Sequence, residues 1–161
     1  MDIAQWGAPS LTRGKLEVEG SATFPTDGLA NTSITWNVRC TTEGGLCLSF
    51  SDESQNPHGC RFEGDQGWVH VIRGGISAQP ESLLTVDLRP SDEHLYRSGD
   101  HHADFLDCIR SRRDPVAPVE AGHSATTLTI ISDIATRLGR KLVWDWTAER
   151  FAGDEGANRM L

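Results

Sequence analysis

The sequence is short of several things, and each shortage excludes a class of protein. No apolar run approaches the roughly 20 residues that a membrane-crossing helix requires. Basic residues are in deficit, 15 Lys and Arg against 23 Asp and Glu, for a formal charge of −8. A surface of that sign is a poor footprint for nucleic acid or an anionic membrane, both of which need a positive field. Cysteine is sparse: Cys40, Cys47, Cys60 and Cys108 include no CxxC pair. A disulfide framework or a zinc ribbon would space them more densely, so reduced, partly buried thiols are expected. The opening MDIAQWGAPS has neither a basic stretch nor an apolar one, so no secretory leader is expected and the compartment is read as cytoplasmic.

Catalytic signatures are missing as well. There is no GxGxxG between a strand and a helix and no GxxxxGK[ST], so the chain has no sequence-level cradle for nucleotide phosphates. No HExxH, HxH or GxSxG occurs. His101 and His102 are adjacent, but neighbours at i and i+1 point to different sides of a helix, and a solvated first turn accounts for them. Gly44-Gly45 and Gly74-Gly75 flank strand-like segments, where turns require them. The chain offers no metal set and no catalytic set of its own.

What is present falls into two parts with different periodicity in one 161-residue chain, a length that suits a single domain. Up to about Ile76 the pattern is that of strands. Leu16 and Val18 alternate with Glu17 and Glu19; Ile34, Trp36 and Val38 alternate with Thr35, Asn37 and Arg39. Leu46–Ser51 follows Glu43-Gly44-Gly45 as the second arm of a hairpin. Cys60–Glu63 and Trp68–Arg73 form another pair around Gly64–Gly67. Connections this short imply antiparallel pairing. Ser77–Gly99 reads as irregular, with a short strand at LLTVDL. Asp100 is then a candidate N-cap for a helix over His101–Ser111, with Phe105, Cys108 and Ile109 on its apolar stripe.

The segment Glu120–Leu138 places Ala121, Ala125, Leu128, Ile131, Ala135 and Leu138 at spacings of three and four, with Gly139 as its C-terminal stop. TTLTII within it is β-branched and would suit a strand, but the length of the segment favours a helix. A last strand at Lys141–Trp144 leads into a polar tail, expected to be irregular from about residue 147. Strands first and helices later predict an α+β domain, a mostly antiparallel open sheet with helices on one face. Trp36 and Trp68 are expected in the core. An open sheet bearing aromatic residues also predicts self-association through its exposed face. His123 lies at the start of the long helix, where backbone donors face ligands or satisfy local hydrogen bonds.

Two long stretches carry a family resemblance. HHADFLDCIRSRRDPVAPVEAGHSATT from His101, and IATRLGRKLVWDWTAERFAGDEGANRML from Ile134, resemble the C-terminal domain of Gfo/Idh/MocA oxidoreductases, bacterial-type branch. DIAQWG at Asp2–Gly7, TWNV at Thr35–Val38, FEGDQGWV at Phe62–Val69, RGGI from Arg73 and PESLL from Pro80 agree with it. The resemblance implies a two-domain enzyme. An N-terminal Rossmann domain binds NAD or NADP, and this domain shapes the pocket for a sugar, polyol or related compound and joins subunits.

The resemblance also implies a Glu-Lys-Pro motif and an Asp-x-x-x-His-x-x-Asp segment. The first is absent, and Asp2 matches only the last position of the second. The chain is therefore expected to be a fragment, inactive alone, with no catalytic, cofactor or metal residues of its own. Asp2, Trp6 and His123 are its candidate substrate contacts. The alternative is a non-enzymatic carbohydrate-binding or dimerisation module.

Overall fold

A computed structural model describes residues 1–92 and 94–161. The chain divides into two compact units, Met1–His58 with Ser124–Leu161, and Gly59–His123. All paired strands are antiparallel, in one five-stranded and one three-stranded sheet, so the fold is α+β as expected. The strands expected in one open sheet thus belong to two.

The first unit opens with helix α1 (Asp2–Gly7) and a 3-10 turn at Pro9–Thr12 that buries Leu11. Strands β1 (Lys15–Thr23), β2 (Thr35–Thr42) and β3 (Cys47–Ser51) follow, and β7 (Leu142–Asp145) and β8 (Arg150–Phe151) complete the sheet in the order β3-β2-β1-β7-β8. Leu16 pairs with Thr42 and Trp144, Val18 with Cys40 and Leu142, and Trp144 with Phe151. These residues share one face, and all of them are buried. The alternate rows, including Glu17, Glu19, Asn37 and Arg39, form a polar open face, where Lys141 Nζ donates to Glu17 at 2.8 Å.

Helix α3 (Val119–Leu138) covers the inner face with Leu128, Ile131, Ile134 and Ala135, all buried. Its β-branched stretch does not divert it to strand, because a stripe at helical spacing finds an apolar sheet to cover, and burying one such side chain is worth about 1.5–3 kcal/mol. Gly139 stops the helix: its φ of 61° is left-handed, and its N–H reaches the Ala135 carbonyl at 2.9 Å.

The tail is ordered rather than irregular. Asn158 donates to the Phe151 carbonyl at 3.0 Å and accepts the Phe151 N–H at 2.8 Å, copying a strand neighbour. Asp154 caps helix α4 (Glu155–Asn158) through the Ala157 N–H, and Arg140 grips the same carboxylate with contacts of 2.8–3.0 Å. Polar side chains thus supply pairing that an apolar pattern cannot signal.

The second unit holds β4 (Cys60–Gly64), β5 (Gly67–Ile72) and β6 (Gly75–Gln79). Ser77–Gln79 extends β6, contrary to the irregular course expected, because the Arg73–Gly74 turn brings it back along β5, pairing Trp68 with Gln79. LLTVDL forms no strand: Glu81–Thr85 is a 3-10 turn in which Leu83 N–H reaches the Pro80 carbonyl and Thr85 Oγ1 the Ser82 carbonyl. Local bonds capture that backbone before a partner strand can. Helix α2 (His101–Ser111) is capped as expected, Asp100 accepting from the N–H groups of His102 and Ala103. Its stripe is only partly internal: Cys108 is buried, while Phe105 and Ile109 are exposed. Trp36 and Trp68 are half-buried, and Trp144 is the tryptophan of the core.

One carboxylate organises the end of β3. Asp52 accepts from Trp36 N–H, Ser54 N–H and Gln55 Nε2, each at 3.0 Å, and from the Ser54 hydroxyl. Those donors, led by Ser54, hold its pKa at about 2, below the ordinary 3.8. A carboxyl depressed on folding stabilises fully above its unfolded pKa, and that contribution disappears as pH falls through the folded value. Asp52→Asn should therefore melt below the parent protein at pH 6, and the gap should close as pH falls from 4 to about 2. A gap that persists at the acid end would contradict this account.

Candidate functional site

The residues expected to touch substrate are distributed over both units. Asp2 and Trp6 stand at i and i+4 on α1, so the helix brings them to one side. Asp2 Oδ1 accepts from Gln5 Nε2 at 3.0 Å, and Trp6 is 49% exposed. His123 belongs to the second unit and is exposed. Because α3 begins at Val119, His123 is its fifth residue, and the N–H groups of Ala121 and Gly122 just before it reach the Pro118 carbonyl at 3.1 and 3.4 Å.

A cavity of about 350 Å³ in the first unit was not foreseen from the sequence. Its sheet wall is Trp36, Val38 and Phe50; its helix wall is Thr129, Ser132, Asp133 and Thr136 of α3. The register explains the first set, since Val38 pairs with Phe50 and Trp36 lies two residues before it on the same face. Helical spacing explains the second, because positions 129, 132, 133 and 136 are related by steps of three and four. The Asp52 carboxylate holds the Trp36 N–H and so fixes the strand at the cavity's edge. A volume of this order is the size range of small-molecule pockets.

Beneath the helix wall lies Cys40, buried, with Sγ 4.0 Å from Ser132 Oγ. Burial pushes its thiol up to about 11, so at neutral pH it stays protonated and donates to Ser132. Ser132 in turn donates to the Leu128 carbonyl at 2.6 Å.

Two further concavities differ in character. One of about 390 Å³ in the second unit is mostly apolar, lined by His101, Phe105, Pro115 and Val116 among others. Beside it, Asp104 accepts from Tyr96 Oη at 2.6 Å and Val116 N–H at 2.9 Å, which lowers its pKa. Another, of about 410 Å³, lies on the polar sheet face among Glu19, Asn37, Arg39, Arg140 and Lys141. No group of three or more His, Cys, Asp or Glu able to hold a metal occurs among the described residues. Nor is any helix there long and apolar enough to cross a membrane.

A dinucleotide does not fit these residues. Its crevice forms where parallel strands diverge above a glycine-rich turn, and the sheets described here are antiparallel throughout.

An antiparallel sheet covered on one face by a long helix, with a cavity between them, defines an α+β domain. Comparison with protein families specifies it: residues 25–161 match the oxidoreductase family, C-terminal alpha/beta domain. The chain belongs to that family, the C-terminal domain of Gfo/Idh/MocA oxidoreductases. No curated protein and no solved structure gave a significant match.

The thiols provide a check on this geometry. Cys47 is exposed and Cys40 is buried and protonated, so a maleimide should modify Cys47 first and Cys40 far more slowly at pH 7. Peptide mass spectrometry reads the order; equal rates at the two positions would refute the sealed inner face.

Proposed function

We propose that this chain is the substrate-holding and assembly half of an NAD(P)-dependent oxidoreductase acting on a sugar, polyol or related compound. In this reading an N-terminal Rossmann domain, in cis or in trans, holds the dinucleotide. Family membership over residues 25–161 is the observation that carries it. Hydride transfer needs a nicotinamide held against the reacting carbon and a group to move the hydroxyl proton. The contribution proposed for this chain is a wall that orients the substrate. Asp2 and Trp6, with Trp36 and Phe50 from the cavity, are its proposed contacts in the first unit, and His123 is the one proposed in the second. The enzyme is placed in the cytoplasm, in keeping with four free thiols.

Self-association through the open sheet face belongs to the same reading, but the structure changes its physical basis. The aromatic residues Trp36, Trp144 and Phe151 lie on the inner face, and the outer face presents Glu17, Glu19, Arg39 and Lys141. Contacts between two such faces would be polar and screened by salt.

Two measurements test these statements. Titration of the 161-residue chain with NADH and NADPH should show no binding, and adding its Rossmann domain should restore dinucleotide-dependent oxidation of polyols. Micromolar dinucleotide binding by this chain alone would overturn the reading. Sedimentation should show oligomers at low ionic strength that dissociate as salt rises. Salt-independent association, or a monomer throughout, would rule out the polar interface.

A further inference from the structure

The two edges of the five-stranded sheet are finished differently. At β8 the Asn158 side chain accepts the Phe151 N–H at 2.8 Å and donates to the Phe151 carbonyl at 3.0 Å, which closes the ladder there. At the other edge β3 pairs only with β2. An edge strand carries a row of backbone donors and acceptors able to pair with another chain, and proteins blunt such rows with charge, proline or a cover. Cys47–Ser51 contains neither a charged residue nor a proline.

Bonds just beyond both ends of β3 fix which groups face outward. The Thr42 N–H reaches the Leu46 carbonyl at 2.9 Å, and the Asp52 N–H reaches the Trp36 carbonyl at 3.2 Å. Backbone direction alternates along an antiparallel strand, so Leu48 and Phe50 also turn theirs toward β2. Cys47, Ser49 and Ser51 each present an N–H and a C=O to the open edge, with no backbone partner among the described residues. Their side chains lie on the outer face beside Thr41, Arg39 and Asn37, while Leu48 and Phe50 are half-buried on the inner face.

This row is self-complementary. Turned about a two-fold axis at Ser49, β3 meets a second β3 antiparallel, with Ser49 against its counterpart and Cys47 against Ser51 of the other copy. Each of these pairs can exchange both backbone hydrogen bonds. The side chains that meet outside are small. Inside, Leu48 meets Phe50 of the other copy, so apolar surface left half-covered in one chain is covered by the next. Charge does not oppose the pairing, although each chain carries −8. Arg39 lies one strand in, which keeps the two copies' Arg39 side chains about 14 Å apart at the usual strand spacing, beyond a Debye length of about 8 Å. The flanking acids are held within their own chain, Asp52 by Trp36, Ser54 and Gln55, and Glu43 by the Lys15 N–H at 3.2 Å. A peptide of arbitrary sequence would share the backbone bonds but not this match of small outer and apolar inner residues.

We propose that β3 is a dimerisation edge, joining two copies of this chain into one continuous sheet by two-fold pairing centred on Ser49. The contact is independent of association through the polar sheet face.

Sedimentation of the 161-residue chain at high salt tests it, because polar-face contacts are screened there. A dimer should remain. Ser49→Pro deletes an N–H that points away from β2, and Ser49→Lys sets like charges opposite one another on the axis. Each variant should sediment as a monomer, with a melting curve showing that it is folded. With Cys47→Ser removing the exposed thiol, oxidised Ser49→Cys should form a disulfide-linked dimer, since hydrogen-bonded pairs hold their Cα atoms about 5.5 Å apart, within disulfide reach. A monomeric parent at high salt, a dimer that survives either substitution in a folded variant, or no cross-link at position 49 would overturn the proposal. Those results leave the substrate-holding reading intact, because it fails separately, through dinucleotide binding by this chain alone or absent polyol oxidation with the Rossmann domain added.

Discussion

The contact on which the first unit depends is that between the inner face of the five-stranded sheet and α3. Leu16, Val18, Val38, Cys40 and Leu142 leave water on one side, and Leu128, Ile131 and Ala135 leave it on the other. Hydrophobic burial of this kind is the main favourable term for a domain. It also decides where polar chemistry can go. Where the seal is complete, Cys40 and Ser132 must satisfy one another. Where it opens toward Trp36 and Phe50, α3 turns hydroxyls and a carboxylate into a cavity.

Polar side chains then finish what the apolar contact begins. Asp52 gathers the turn after β3 and the start of β2, and Arg140 and Asn158 order the tail through Asp154 and Phe151. In the second unit Asp104 joins Tyr96 on the preceding loop to Val116 after α2. Bonds to an ionised carboxylate are stronger than neutral ones, so a few acids can organise much irregular backbone. This is one use of an acidic composition that charge counting alone does not disclose.

The family identity and the cavity together bear on function. The family supplies the reaction class, that of an oxidoreductase. In the proposed reading this chain contributes the shape of a wall against which the substrate is oriented.

Much of this was legible in the linear chain. Alternation placed β1 and β2, the Gly64–Gly67 turn placed β4 and β5 around it, the spacing from Ala121 to Leu138 placed α3, and Asp100 and Gly139 marked helix ends, because each of those signals is local in sequence. The motifs around α2, α3 and the tail identified the family. Other features depended on partners distant in sequence. Which strands share a sheet, why Phe151 is buried beside Asn158, and why LLTVDL turns instead of extending are settled by hydrogen bonds and register. The cavity is of this kind too: Trp36, Phe50 and Ser132 are unremarkable where they stand in the sequence. Strand pairing and the rotation of α3 bring them to one wall or its opposite, and only the folded backbone sets those.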